Sequence, residues 1–114
     1  FPYTTLFRSG PWIALPEEVD KNYIRIRGTN IGGRYKIANV ITPVYENVHD
    51  REAVETRANA RLIVSAPDLL EALQCLFNNY KQLADSGDAG NWRLEDEPAG
   101  KKALHAINKA LGKE

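Results

Sequence analysis

The sequence predicts an α+β protein: a short antiparallel meander of about three strands followed by three α-helices. Two periodicities carry that prediction. Apolar and polar residues alternate with a period of two up to Ile41, and apolar residues recur at helical spacing from Asp50 onward. Gly, Asn and Pro punctuate the joints. Residues 10–114 read as one small domain, with a sheet region over 10–43 and a helical region over 50–114.

The elements follow in order. Trp12-Ile13-Ala14-Leu15 is an apolar run ended by Pro16. Tyr23 to Arg27 alternates strictly, with Ile24 and Ile26 on one face. Arg34 to Ile41 is the third strand, with Tyr35 and Ile37 on one face and Arg34 and Lys36 on the other. Gly28 to Gly33 joins the two as a hairpin loop, its glycines and Asn30 suiting positive φ. Thr42-Pro43 ends the sheet, because proline lacks the ladder donor.

A first helix is predicted over Asp50–Val64 with Asp50 as N-cap. It carries two apolar stripes: Ala53, Thr56, Ala60 and Ile63 on one side, Val54, Ala58 and Leu62 on the other. A helix apolar on two sides is usually sandwiched. In a chain this short that means either the centre of the fold or an interface, and the second stripe is the candidate interface, fitting a second copy of the chain or a host protein. In Ser65-Ala66-Pro67-Asp68, Ser65 is placed to cap the N–H of Asp68 and Pro67 to occupy a first turn. The chain is expected to turn there and begin a second helix through Leu69, Leu70, Leu73, Leu76, Phe77, Tyr80 and Leu83. Asp85 to Gly90 reads as a loop, with Trp92 and Leu94 pinning its far end. The third helix starts near Pro98, with Leu104, Ile107 and Leu111 on one face and Gly112 at its C-terminal cap.

The chain has 114 residues, with 15 basic and 15 acidic side chains. That balance argues against a general nucleic-acid binder, which needs a basic surplus. One cysteine, Cys75, precludes an internal disulfide. It falls on the outer side of its helix and reads as an inert thiol. No apolar run suits a bilayer span and no signal-peptide pattern is visible, so no membrane association is expected and a place in the cytoplasm of a bacterial host is.

Catalytic chemistry finds little to work with. Gly28-Thr-Asn-Ile-Gly-Gly33 has the outer spacing of a phosphate-binding P-loop, but Arg34-Tyr35 replaces the Lys-Ser/Thr pair and a strand follows where a helix is needed. Nucleophilic catalysis needs a Ser, Cys or Thr beside a base. Ser65 is assigned to capping, Ser86 to a loop, and His49 and His105 stand apart from both. A structural zinc site lacks its Cys/His ligands. Asp85, Asp88, Glu95, Asp96 and Glu97 lack EF-hand spacing and read as a solvated acidic stretch. The expectation is a protein that is not an enzyme and needs neither cofactor nor metal.

One constellation points to binding. Tyr23, Arg25 and Arg27 share a strand face, and Arg34 and Lys36 are expected on the neighbouring strand. A basic sheet face with one aromatic can hold phosphates and stack a base. The plain alternative is the solvated outer face of a half-buried sheet. Arg57 and Arg61 are placed either to extend this patch or to pair with Glu52 and Glu55.

Several motifs together carry a family resemblance. They are Gly10-Pro11-Trp12 opening a strand, Asn59-Ala60-Arg61-Leu62-Ile63, Ala66-Pro67-Asp68-Leu69-Leu70-Glu71-Ala72-Leu73, and the closing Ala106-Ile107-Asn108-Lys109-Ala110-Leu111-Gly112. The chain resembles small phage and prophage proteins of unknown function that begin near a Gly-Pro-Trp segment and carry this helical motif. Val64-Ser65 departs from the pattern, where those proteins usually have alanines. The resemblance implies a phage setting and no known activity.

Phe1 to Ser9 has a different origin in this reading. Its nine residues are the codon-by-codon translation of TTT CCC TAC ACG ACG CTC TTC CGA TCT, which resembles the end of a short-read library adapter. The native sequence is then expected from Gly10, with the gene read from the end of a metagenomic fragment.

Overall fold

In a computed structural model the chain is described over residues 10–30, 33–42, 49–87, 90 and 92–113. The adapter reading of Phe1–Ser9, the sheet-ending role of Pro43 and the part given to Asp88 lie outside the described residues. The elements are β1 (Trp12–Ala14), β2 (Tyr23–Asn30), β3 (Gly33–Ile41), α1 (His49–Ser86), a 3-10 turn (Leu94–Asp96) and α2 (Pro98–Ala110). They are α+β, as predicted. The chain divides into two compact units, Phe1–Asp68 and Leu69–Glu114, with the boundary inside α1.

The first unit holds a three-stranded antiparallel sheet in the order β1-β2-β3. Alternation in β2 turns Ile24 and Ile26 inward, and both are buried, Ile26 completely. Val40 of β3 and Ala60 of α1 complete the buried cluster, and Trp12, Ile37, Ala38, Ile63 and Val64 pack against it. Burying one such isoleucine contributes about 1.5–3 kcal/mol.

The β2–β3 register slips between Ile26 and Arg27: Ile26 faces Ala38, while Arg27 faces Lys36. Ile37 is thus the extra residue of a β-bulge. The bulge reconciles two demands that simple alternation cannot. Tyr35 opposes Gly28 on the same face on which Val40 opposes Ile24, although an odd and an even position would otherwise point opposite ways. The strands also run further than predicted, pairing up to Asn30 and Gly33. Gly28 is therefore a buried strand residue and not part of a loop. The register sets Trp12 on one side of it and Tyr35 on the other, so the position between two aromatic residues carries no side chain.

Two described helices replace the three expected. Predicted helices one and two are a single helix of 38 residues with Pro67 inside it. Ser65 does not cap Asp68. Its hydroxyl donates to the Arg61 carbonyl one turn upstream, 2.8 Å away, the bond a serine makes within a continuing helix. Proline removes one backbone donor from the helix interior and crowds the preceding turn. The loss is local, and the Ala-, Leu- and Glu-rich flanks favour helix on both sides. Pro67 also gains a tertiary neighbour: a Cβ added to Gly10 would lie 3.0 Å from Pro67 Cβ. Position 10 is thus held small by the proline ring. The helix begins at His49, so Asp50 lies within it and is not its N-cap.

In the second unit, α2 begins with Pro98 at its N-terminus, as predicted. It ends on Gly112 at φ +73°, with Lys113 N–H donating to Asn108 O at 2.8 Å and Gly112 N–H to Lys109 O at 3.2 Å. That pair of bonds is a Schellman ending. Among the described residues, Ala84, Leu94 and Ile107 are the buried apolar ones here. Gly100 is also buried, and a Cβ there would lie 2.8 Å from the Leu94 carbonyl carbon and closer still to its oxygen. Only glycine lets the 3-10 turn approach α2 so closely. Gln74 is buried as well, with no hydrogen-bond partner for Nε2 among the described residues.

Candidate functional site

The outer face of the sheet gathers four of the five residues chosen from sequence. Arg27 faces Lys36 directly, Arg25 faces Asn39 and Tyr23 faces Ile41, all on the side away from Ile24 and Ile26. Arg34 opposes Thr29 in the register, and its side chain lies outside the described residues.

Local partners take up much of this face's positive charge. Arg25 Nη2 lies 2.7 Å from Glu18 Oε1, and Lys21 Nζ lies 3.9 Å from the other oxygen of that carboxylate. Lys21 also sits over the Tyr23 ring, 5.6 Å from its centroid. Arg27 Nη1 donates to the carbonyls of Ile26 (2.8 Å) and Ala38 (3.3 Å). Those two carbonyls flank the bulge, where the ladder is interrupted, so the guanidinium supplies donors at the irregularity. Lys36 is exposed and makes no ion pair among the described residues.

Arg57 belongs to a different contact. It forms a two-pronged pair with Glu17, Nε to Oε2 at 3.0 Å and Nη2 to Oε1 at 3.4 Å, which ties α1 to the β1–β2 connection. Sequence reading missed Glu17 and Glu18 because their partners are set by the fold; Glu17 pairs across 40 positions. Only their position just after Pro16 marks them as a connection facing the sheet.

The second candidate surface is on α1. Thr56 and Ala60 are buried and Ala53 and Ile63 half-buried, so the first predicted stripe faces the sheet. The other stripe is open: Val54 is 61% and Leu62 64% exposed, and Ala58 between them is exposed too.

The second unit repeats this division. Leu70, Leu73 and Phe77 are half-buried, whereas Leu69, Leu76, Tyr80 and Leu83 are exposed. Three of its acidic residues, Asp85, Glu95 and Asp96, have cationic partners. Lys81 Nζ lies 2.7 Å from Glu95 Oε1 and 3.3 Å from Asp85 Oδ2. The hydrogen bond from Lys81 holds the Glu95 carboxyl below the usual carboxylate range, with Arg93 adding to the effect. Cys75 is exposed. Among the described residues no group of three or more His, Cys, Asp and Glu side chains could hold a metal ion, and no helix is long and apolar enough to cross a membrane.

The family model described as Salmonella phage P22 protein Y8K6 matches residues 4–114. The chain belongs to that family. The match spans both units, so the P22 Y8K6 family model covers the sheet, all of α1 and α2 together. It opens inside the segment read above as adapter. Membership makes this a phage protein, and the family's description names a phage and no reaction. No curated protein and no solved structure matches the chain.

Proposed function

We propose that this member of the P22 Y8K6 family is a non-enzymatic phage accessory protein that acts by binding, through the Val54, Ala58 and Leu62 stripe of α1. The observation behind this reading is the exposure of Val54 and Leu62 on a helix whose opposite side is already used against the sheet. Large apolar side chains grouped on an open surface are the usual mark of an interaction site. The stripe suits a second copy or a host protein. Light scattering over a concentration series tests the first form. The expected result is a mass that rises above the monomer and falls back when Leu62 is replaced by Glu. A strictly monomeric protein would count against self-association through this stripe.

A second reading uses the outer sheet face. It is favoured by the direct opposition of Arg27 and Lys36 beside Tyr23 and Arg25, which suits a nucleotide or a single strand of nucleic acid. The pairing of Arg25 with Glu18 weakens it. Replacing Arg25 and Arg27 with Ala should abolish binding and flatten its salt dependence. A parent protein that binds neither RNA, DNA nor free nucleotides sinks this reading.

A further inference from the structure

Along the second-unit half of α1, Leu69, Leu76 and Leu83 stand seven residues apart. Each is about half exposed, at 54%, 55% and 45%, and Tyr80 beside them is 54% exposed. Seven residues fall within about 20° of two helical turns, so side chains at this spacing line up in one narrow stripe. The unit's own packing leaves about half of that stripe open. Its inner side is made by Leu70, Phe77 and Ala84, and Glu95 draws Lys81 toward the 3-10 turn. In sequence the spacing reaches one step further back, to Leu62 of the first unit.

We infer that the Leu69–Leu76–Leu83 seam pairs with the same seam of a second copy of this chain. The inference rests on the reading that the protein acts by binding, and moves the self-contact to a different surface. Charge selects the occupant. From Leu69 to Ser86 the charged residues are Glu71, Lys81 and Asp85, and Lys81 and Asp85 pair with each other. The residues that border the seam are Ala72, Asn79 and Ser86 on one side and Leu73 and Tyr80 on the other. A two-fold interface must complement itself. A bordering row of charges would repel its own copy. A neutral row does not, and the Asn79 amide can both donate to and accept from an identical amide. An apolar groove that takes in the seam's own Leu76, with Leu73, Phe77, Tyr80, Leu94 and Ala103, offers holes for the partner's side chains.

The area sets the strength. Four half-exposed side chains per copy fall short of the roughly 800 Å² per partner of a standard stable interface. The dimer therefore belongs with the weak, transient class of interface.

The test is sedimentation equilibrium of the full chain under reducing conditions, so that Cys75 disulfides do not contribute. Three variants accompany the parent: Leu69→Glu, Leu76→Glu and, on the first-unit stripe, Leu62→Glu. The expected result is a parent dimer whose dissociation constant rises at least about a hundredfold in Leu69→Glu and Leu76→Glu, since each buries like charges against its own copy. A dimer lost only in Leu62→Glu overturns the inference and leaves the Val54–Leu62 reading in place. A dimer lost only in the two seam variants supports the inference and removes self-association from that other stripe. A parent that stays monomeric overturns the inference. Should the seam variants fail to fold, a spin label on Cys75, the chain's single cysteine, decides. A single narrow intermolecular distance that persists in Leu62→Glu supports the seam; a distance lost in Leu62→Glu, or no intermolecular distance at all, overturns it.

Discussion

In the first unit a three-stranded sheet and one half of α1 enclose Ile24, Ile26, Val40 and Ala60. In the second, the other half of α1 has, among the described residues, a short helix and a 3-10 turn for company, and Leu69, Leu76 and Leu83 remain outside. The second half is the richer in leucine, yet it is the less completely enclosed. A sheet face presents its apolar residues on one plane that a single helix can cover. A helix apolar around much of its circumference needs neighbours on more than one side. Content of apolar residues therefore says less about the core than the number of layers available to cover them.

The largest expected effect sharpens the contrast from the sheet side. Ile26→Ala should destabilise the protein by about 3 kcal/mol in urea unfolding, because a fully enclosed site leaves a cavity. A loss under about 1 kcal/mol would mean the first unit is as loosely packed as the second. Next comes Gly100→Ala. The added methyl meets the Leu94 carbonyl, a backbone group with little room to yield, and about 2 kcal/mol should be lost. A neutral outcome would show that the 3-10 turn is free to move off α2.

The smallest effect is pH-dependent. Glu95 has its carboxyl held low by Lys81 and Arg93 in the folded protein. A depressed carboxylate stabilises the fold above its unfolded value, and that contribution disappears as pH falls through the folded value. Thermal midpoints of the parent and Glu95→Gln should thus differ near neutral pH and converge in acid. A difference that persists or grows in acid would exclude the ion pair as its source.

The sheet was largely legible in the sequence because a two-residue period has few solutions. Ile24 and Ile26 are inward as read, and β1 and β3 fall within a residue or so of their predicted limits. The bulge at Ile37 was not legible. It answers to the pairing of Tyr35 with Gly28, a contact between strands that neither strand shows alone. The two stripes of α1 were legible, including which residues shared each one, and the stripe named as the candidate interface is the one the sheet leaves open. The break at Pro67 was misread because a local rule, proline ending a helix, yielded to strong helix formers on both sides. On the outer sheet face the shared placement of Tyr23, Arg25, Arg27 and Lys36 could be read. The roles of Glu18 and of the carbonyls at the bulge could not, since both depend on neighbours that folding brings together.

The contact between Gly10 and Pro67 ties two sequence motifs into one. Gly-Pro-Trp and Ala-Pro-Asp-Leu-Leu look like independent signatures more than fifty residues apart, yet each occupies space the other leaves empty. Positions 10 and 67 should therefore vary as a pair among relatives, a larger residue at 10 appearing where the proline ring has been given up. Any attempt to graft the helical motif onto another scaffold would leave a proline in mid-helix with nothing against its ring.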